Sequence, residues 1–393
     1  MKPRSTIARM TRHLFAIIAL IGIATTSIEA ETSGKKAPLN PSGFAIQRGI
    51  NLSHWLSQDF GWSPRETFIT ENDIQYLAGI GYDHVRLPLD EKEMWDAEGN
   101  PIEASFAYVE KAIEWCQAHD LRIVVDLHTI NAHHFNAANE GLENTLWTDP
   151  AAQEGFFDLW RDLSARLHHY PVDLVAYEIM NEPVAEDHED WNRLVETALK
   201  TIRELEPDRV IVIGANMWQI PVNVPKLRIP ENDKNIILST HVYAPLAFTH
   251  YKANWTPFQV YEGPVSYPGA PITQEVYDAL VAENPALADL LNNAREDWGP
   301  ERLAAEFAPA IEHARKLGLQ LYCGEFGCLP TVPREQRLAY YRDLLKVLED
   351  NDVAWANWEY KGDFGIFEWH SEITSIGAPD LDMIEVLTGT RPQ

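Results

Sequence analysis

Eight short runs rich in β-branched and other apolar residues, separated by longer amphipathic stretches, limit the folds open to this chain more than any other feature. The runs are Gln47–Asn51, His84–Leu89, Arg122–His128, Leu174–Asn181, Arg209–Gly214, Ile236–Tyr243, Leu319–Glu325 and Val353–Trp358. Their apolar residues are nearly continuous, the pattern of parallel strands buried on both faces. Between them Glu103–His119, Pro150–His168, Trp191–Leu205, Pro300–Leu317 and Arg334–Asp350 repeat apolar residues at helical spacing. Thr70 with Asp73 three residues on reads as a capping box, and Pro300 suits a first helical turn. Gly79-Ile80-Gly81 and Gly318 read as helix stops. Together these predict an α/β fold, a single closed (β/α)8 barrel. A doubly wound open sheet is the alternative, but no GxGxxG follows an early strand to recommend it. One connection breaks the rhythm: a long loop over 246–300 is expected after strand six, and it carries Trp255, Tyr261, Tyr267 and Trp298. A connection of that length is functional or disordered, and its aromatic content argues against plain disorder.

The N-terminus is read apart from the barrel. Lys2, Arg4, Arg9 and Arg12 precede the apolar run from Leu14 to Ala24, and Ile28-Glu29-Ala30 closes the stretch. A basic head, a short apolar middle and a small-residue end describe a secretory signal over residues 1–30. The run is too short for a membrane anchor, which needs roughly twenty apolar residues. The expected order is a leader over 1–30, an extension over 31–43 and a barrel domain over 44–393, secreted or periplasmic, with no membrane association of the mature chain.

Lys and Arg total 32 against 59 Asp and Glu, a net charge of −27, which disfavours nucleic acid and anionic membranes as partners. Neutral polymers carry no such penalty, and 13 Trp with 14 Tyr offer faces for sugar rings. Cys116, Cys323 and Cys328 cannot all pair within one chain. Cys116 is read as a core residue, and a bond between Cys323 and Cys328 is not expected. No CxxC pair or zinc-ligand spacing occurs, so neither metal nor other cofactor is expected.

Chemistry in such a barrel belongs at the C-terminal rim of the strands. Residues two apart on a strand share a face, which pairs His84 with Arg86, Asp126 with His128, Glu178 with Glu182, His241 with Tyr243, and Cys323 with Glu325. Ala354, Ala356 and Trp358 align in the last strand. Charged groups in a barrel interior are costly unless they meet partners or work on a ligand. Two carboxylates stand out. Glu182 sits between Asn181 and Pro183, and Glu325 lies within Gly324-Glu325-Phe326-Gly327, whose glycines allow a turn and a close approach. On strands four and seven they face each other across a barrel mouth, and paired carboxylates of this kind hydrolyse glycosidic bonds. Strict alternation puts Asn181 and Glu182 on opposite faces, so the strand must twist or bulge there if both are to reach a substrate.

These residues carry a resemblance to glycoside hydrolase family 5, the cellulase-type barrel, over roughly Phe44 to Thr388. The segments that carry it are Arg48-Gly49-Ile50-Asn51, Val85-Arg86-Leu87-Pro88, Val125-Asp126-Leu127-His128, Tyr177-Glu178-Ile179-Met180-Asn181-Glu182-Pro183, His241-Val242-Tyr243, Gly324-Glu325-Phe326-Gly327 and Trp355-Ala356-Asn357-Trp358. The resemblance implies that Glu182 is the acid/base and Glu325 the nucleophile of a retaining mechanism, with the carboxyl groups about 5 Å apart. It implies that Asn181 binds the sugar 2-hydroxyl, that Arg86 and Tyr243 hold the nucleophile, that His128 and His241 line the cleaved bond, and that Trp358 floors the glycosyl subsite. Arg86 is expected to lower the pKa of Glu325, and burial beside a second carboxylate to raise that of Glu182.

His133 and His134 follow His128 closely, yet a shared strand-end loop without HExxH is weak ground for a metal. Trp55, Trp147, Trp218 and Trp255 follow strands one, three, five and six; each alone suits packing, while at least one is expected to stack on sugar. Phe248 to Trp255 is similar to a stretch of some bacterial family members, except that Tyr251-Lys252 stands where many have Gln-Gly. The expected substrate is a neutral β-linked glucan, foremost a β-1,4-glucan cleaved internally. Mannan, xyloglucan, β-1,3-glucan and short oligosaccharides are the alternatives within the same chemistry. A catalytically inert carbohydrate-binding barrel and a metal-dependent hydrolase are those outside it.

Overall fold

All eight expected strands form, and each pairs in parallel with its sequence neighbour. They are β1 (Arg48–Asn51), β2 (His84–Asp90), β3 (Arg122–Thr129), β4 (Val175–Glu178), β5 (Val210–Gly214), β6 (Ile236–Val242), β7 (Gln320–Phe326) and β8 (Ala354–Asn357). β8 returns to β1 and closes the barrel, which leaves no strand edge unpaired. The computed structural model describes residues 40–61, 64–136, 144–285, 287–368 and 377–392. The leader expected over residues 1–30, and the extension as far as residue 39, lie outside the described residues. The rest of that extension is built into the barrel: Asn40 bonds the Phe44 carbonyl at 2.6 Å, and the Ser42 N–H donates to Asn235 at 3.1 Å.

The helices that flank the strands are α1 (Glu71–Gly79), α2 (Glu103–Ala118), α3 (Pro150–Leu167), α4 (His188–Leu205), α5 (Pro300–Leu317), α6 (Arg334–Asp350) and α7 (Leu381–Thr388). Their ends follow the local chemistry read from the sequence. The Thr70 N–H donates to the Asp73 carboxylate at 2.8 Å to complete the capping box, Pro300 opens α5, and Gly318 closes it with φ at 63°. Between β5 and β6 a 3-10 segment, Pro221–Lys226, replaces a helix. Pro225, inside the segment, lacks the N–H that a continuing α-helix would need.

Three clusters divide the buried apolar residues, the smallest being Ala253, Leu329, Trp358 and Phe364. Inside the barrel Phe44 and Ile46 floor a small cluster with Val124, Val212, Ile237 and Ala356, while the larger cluster lies between strands and helices. Strict alternation along β7 fails at one point. Thr240 pairs with Cys323 but His241 pairs with Glu325, so Gly324 is an extra residue in β7. Cys323 therefore packs outward among the helices, and Glu325 swings inward; the expectation that the two share a face is corrected. The bulge reverses the alternation by one step. A matching irregularity makes His128 the extra residue opposite Leu89 and Asp90.

The 246–300 connection is not the bare loop expected. It contains short helices at Leu246–Thr249 and Gln274–Glu283 and a 3-10 turn at Pro257–Val260. Aromatic packing orders it: Tyr267 lies 5.4 Å from Phe248 and 5.3 Å from Tyr340, and its hydroxyl donates to Asp343 on α6 at 2.9 Å. Cys116, Cys323 and Cys328 are buried and unpaired.

Gly49 on β1 faces His84 so closely that a Cβ there would fall 2.2 Å from the imidazole. His84 is fully buried and accepts from the Tyr322 hydroxyl at 3.2 Å, so it has nowhere to retreat. Gly49→Ala is expected to lower the unfolding free energy by about 1–3 kcal/mol, the usual cost of overpacking, read as a drop in denaturation midpoint at unchanged m-value.

Candidate active site

The barrel mouth is organised around one guanidinium. Arg86, on β2, is fully buried and makes four side-chain hydrogen bonds. Nε donates to Glu178 at 2.6 Å, Nη1 to Glu325 at 2.7 Å and Asn51 at 3.0 Å, and Nη2 to Asn181 at 2.9 Å, while Nη2 also forms an ion pair with Asp126 at 2.9 Å. Three of those partners are carboxylates from β3, β4 and β7. A planar fork with fixed donors suits this role in a way that a Lys ammonium cannot.

Glu325 receives a second bond from the Tyr243 hydroxyl at 3.0 Å. Glu182 lies opposite, with one oxygen 2.9 Å from His241 Nδ1, while the same nitrogen stands 3.7 Å from Glu325. One oxygen of each carboxylate and the His241 nitrogen fall within 4.8 Å of one another. Among the described residues these three are the one His/Cys/Asp/Glu group spaced closely enough to share a cation. His128 donates from Nδ1 to Asp126 at 2.8 Å, accepts from Gln58 at 3.3 Å, and stacks on Trp358 with ring centres 5.5 Å apart and planes 11° apart.

The conflict between Asn181 and Glu182 is resolved by the backbone. β4 ends at Glu178, the Asn181 N–H turns to the Leu127 carbonyl at 3.0 Å, and Glu182 takes a left-handed φ of 43°. Both side chains then reach the mouth. The loop after β5 is stranger still: Met217, Trp218 and Gln219 have φ of 64°, 57° and 53° in succession, with no glycine among them. Such residues cost about 1–2 kcal/mol each, so their neighbours must hold them. The Met217 N–H donates to Pro183 at 2.7 Å, and Asn216 bonds both the N–H and the carbonyl of Ala185 at 2.8 and 2.9 Å. The Gln219 carbonyl accepts from the His241 N–H at 2.9 Å.

Burial dominates the electrostatics. It pushes Glu182 well above the ordinary carboxylate range, and the nearby charge of Glu325 adds to the effect. Burial raises Glu325 too, against the opposing pull of Arg86. The expected fall in the Glu325 pKa is therefore corrected: desolvation outweighs the cation, although Arg86 and Tyr243 still make Glu325 the readier of the pair to ionise. Burial also lifts Asp126 to about 7 and lowers His128 to about 4 and His241 well below its usual value. Both imidazoles are neutral near pH 7.

The sequence model described as Cellulase (glycosyl hydrolase family 5) matches residues 39–363. The chain belongs to that family. It is a glycoside hydrolase, and its substrate class is that of the family, β-linked glucan. Endoglucanase C of Acetivibrio thermocellus is 35% identical over 329 residues, which span 82% of this chain and 94% of that protein. Cellodextrinase A of Ruminococcus flavefaciens is 30% identical over 311 residues, 79% of this chain and 84% of that one. Among solved structures, an endoglucanase from the hyperthermophilic Thermotoga maritima superposes with a TM-score of 0.66 at 25% identity, covering 87% of this chain and 96% of its own.

Arg86, His128, Asn181, Glu182, His241, Tyr243, Glu325 and Trp358, all singled out in the sequence, converge on this glycosidase mouth. Trp55 is buried, and Trp147 packs against His133 and Trp191, whereas Trp218 and Trp255 are 44% and 51% exposed on the rim. His133 does not join His128 in a cluster; its Nε2 accepts the Val184 N–H at 3.3 Å, and burial lowers it to about 3. The glycines around Glu325 make room for protein rather than ligand. A Cβ on Gly327 would strike Phe364 at 2.6 Å, and one on Gly324 would crowd His241 and Ser239 at 3.1 Å. Asn51 and Gln219 escaped sequence reasoning. Asn51 lies in the matching segment Arg48–Asn51, but nothing local marks Gln219.

Arg86→Lys offers three donors where four hydrogen-bonded acceptors and the Asp126 carboxylate now wait, so at least one acceptor is left unmet. Each orphaned buried group costs about 1–3 kcal/mol. The variant is expected to unfold at markedly lower denaturant and to lose activity, both measurable on the purified protein.

Proposed function

We propose that this chain is an exported endo-β-1,4-glucanase acting by double displacement, with Glu325 as nucleophile and Glu182 as acid/base. The observation that carries the reading is the carboxylate pair, with oxygens within 4.8 Å of one another. Retaining enzymes hold their carboxyl groups about 5–5.5 Å apart, whereas inverting ones leave about 6.5–9.5 Å for a water. Glu325 attacks the anomeric carbon while Glu182 protonates the departing oxygen; water, deprotonated by Glu182, then releases the sugar from Glu325. Arg86 and Tyr243 aim the attacking carboxylate. Asn181, with its oxygen committed to Arg86, presents its NH2 to the 2-hydroxyl. Neutral His128 and His241 line the cleaved bond, and Trp358 floors the glycosyl subsite.

In the same reading residues 1–30 are a removable secretory leader, 31–43 an extension and 44–393 the catalytic domain. The likeness to endoglucanase C supports internal cleavage of polymer. The likeness to cellodextrinase A favours a second reading, the same chemistry confined to short oligomers. Product sizes from soluble β-1,4-glucan, mannan and xylan separate the two. A rapid fall in the viscosity of β-1,4-glucan is expected, and turnover of short oligomers alone would sink the endo assignment.

The roles are tested by pH and by rescue. Activity needs Glu325 ionised and Glu182 protonated, and burial raises both, Glu182 further. The rate should rise with pH through the first ionisation, above the usual glutamate value of about 4.3, and fall through the second, giving a bell. Glu182→Ala is expected to lose roughly 10²–10⁴ in rate on unactivated glucan and to form β-glycosyl azide when azide is supplied. An α-configured azide from that variant would reverse the assignment.

A further inference from the structure

One fully buried amide in the mouth has a function beyond those assigned so far. Gln219 sits at the end of the left-handed turn after β5, and its side chain reaches back under Glu182. Oε1 accepts the Glu182 N–H at 2.8 Å, and Nε2 donates to Glu178 at 3.1 Å and to the Ser239 hydroxyl at 2.9 Å. The reverse orientation of the amide would set N–H against N–H and oxygen against carboxylate, so the network fixes it. Glu178 is in turn held by Arg86, which holds Glu325. The amide is thus the link between the backbone of Glu182 and the charges that fix Glu325.

We propose that Gln219 is a positioning residue: it fixes the backbone of Glu182 so that the acid meets the departing oxygen, and Gly214 exists to admit it. The proposal rests on the acid/base role given to Glu182 above. Three observations carry it. A carboxamide accepts from a backbone N–H while donating to a carboxylate through the same planar group, and it does so without ever taking a charge. The backbone at Glu182, with φ at 43°, and at Gln219, with φ at 53°, is left-handed in both, a conformation that needs outside support. A Cβ on Gly214 would fall 2.2 Å from both Cδ and Nε2 of Gln219, so the last residue of β5 is bare where the amide crosses it. The groups around the amide are Glu178 and Glu182 from β4 and its loop, Ser239 and His241 from β6, and Arg86 of β2 and Glu325 of β7 one contact farther out.

Misplacing a general acid penalises substrates whose leaving group must be protonated and spares those whose leaving group departs as an anion. The test compares kcat/KM, which reports glycosylation, on a cello-oligosaccharide and on 2,4-dinitrophenyl β-cellobioside. Gln219→Leu should lose roughly a hundredfold on the oligosaccharide, the cost of about 1 Å of displacement, and far less on the aryl glycoside. Gly214→Ala, which leaves the amide chemistry intact but displaces it, should show the same split. Gln219→Glu adds a distinct signature. Its neutral acid can accept and donate like the amide, so its oligosaccharide activity should recover as pH falls, while the Leu variant should stay defective. Thermal melts followed by circular dichroism identify any variant that fails to fold, and Gly214→Ala and Gln219→Glu then stand in for Gln219→Leu. Equal losses on both substrates, or no loss, would overturn the proposal. Glu182→Gln is run alongside. If it shows the leaving-group split and the Gln219 and Gly214 variants do not, only the positioning proposal falls; if Glu182→Gln itself shows no split, the acid/base reading falls with it.

Discussion

A guanidinium buried this deeply needs acceptors for its N–H groups, and Arg86 meets five side chains on four strands or their loops besides its own, four by hydrogen bond and Asp126 by ion pair. That demand sets much of the barrel mouth. It calls for carboxylates inside a parallel barrel, where apolar side chains are the rule, and it fixes where those carboxylates point. Replacing such a group by apolar residues is often neutral for stability, so its presence speaks for orientation rather than for holding the fold together. The fold is held by the apolar clusters; the charge network uses the resulting rigid frame.

The network carries more negative than positive charge. Asp126, Glu178 and Glu325 surround one cation, with Glu182 close by. Burial answers the imbalance by lifting the carboxylates rather than expelling them, and Asp126 at about 7 shows how far that goes. The proposed division of one proton between Glu182 and Glu325 gains from this setting. Both are hard to ionise, and the one touching Arg86 and Tyr243 ionises first. Two neutral imidazoles beside them leave the balance undisturbed.

Much of this was legible in the sequence because its signals are local. Near-continuous apolar runs announced buried parallel strands, and Thr70, Pro300 and Gly318 announced helix ends. Polar residues at strand ends announced the mouth. What escaped depends on departures from period two or on distant partners. The extra residue at Gly324 turns Glu325 inward and Cys323 outward, and alternation alone assigns them one face. Glu182 reaches the mouth through a left-handed backbone that no glycine signals. The 246–300 segment looked like loop because its helices are short; its order comes from Tyr267 meeting Phe248 and Tyr340 across the fold. The sign of the Glu325 shift was misjudged because sequence exposes the neighbouring cation but not the depth of burial.

The two carboxylates differ most in how each is anchored. Glu325 is gripped by its own oxygens, one on Arg86 and one on Tyr243, so its charge and its direction are set by the same bonds. Such bonds strengthen with ionisation, which suits the nucleophile role proposed for Glu325. Glu182 is gripped from behind, through its backbone N–H, and among the described residues His241 is the one side chain hydrogen-bonded to its carboxyl. In the acid/base role proposed for Glu182, a group that gives up and recovers a proton in each cycle cannot have its oxygens tied to fixed cations, because those would hold it ionised. Anchoring through the main chain leaves the carboxyl free to change charge while its position stays put. The strained turn at Met217–Gln219 follows from that requirement: it brings an uncharged amide beneath Glu182 from the neighbouring strand, and it does so without adding a charge to the site.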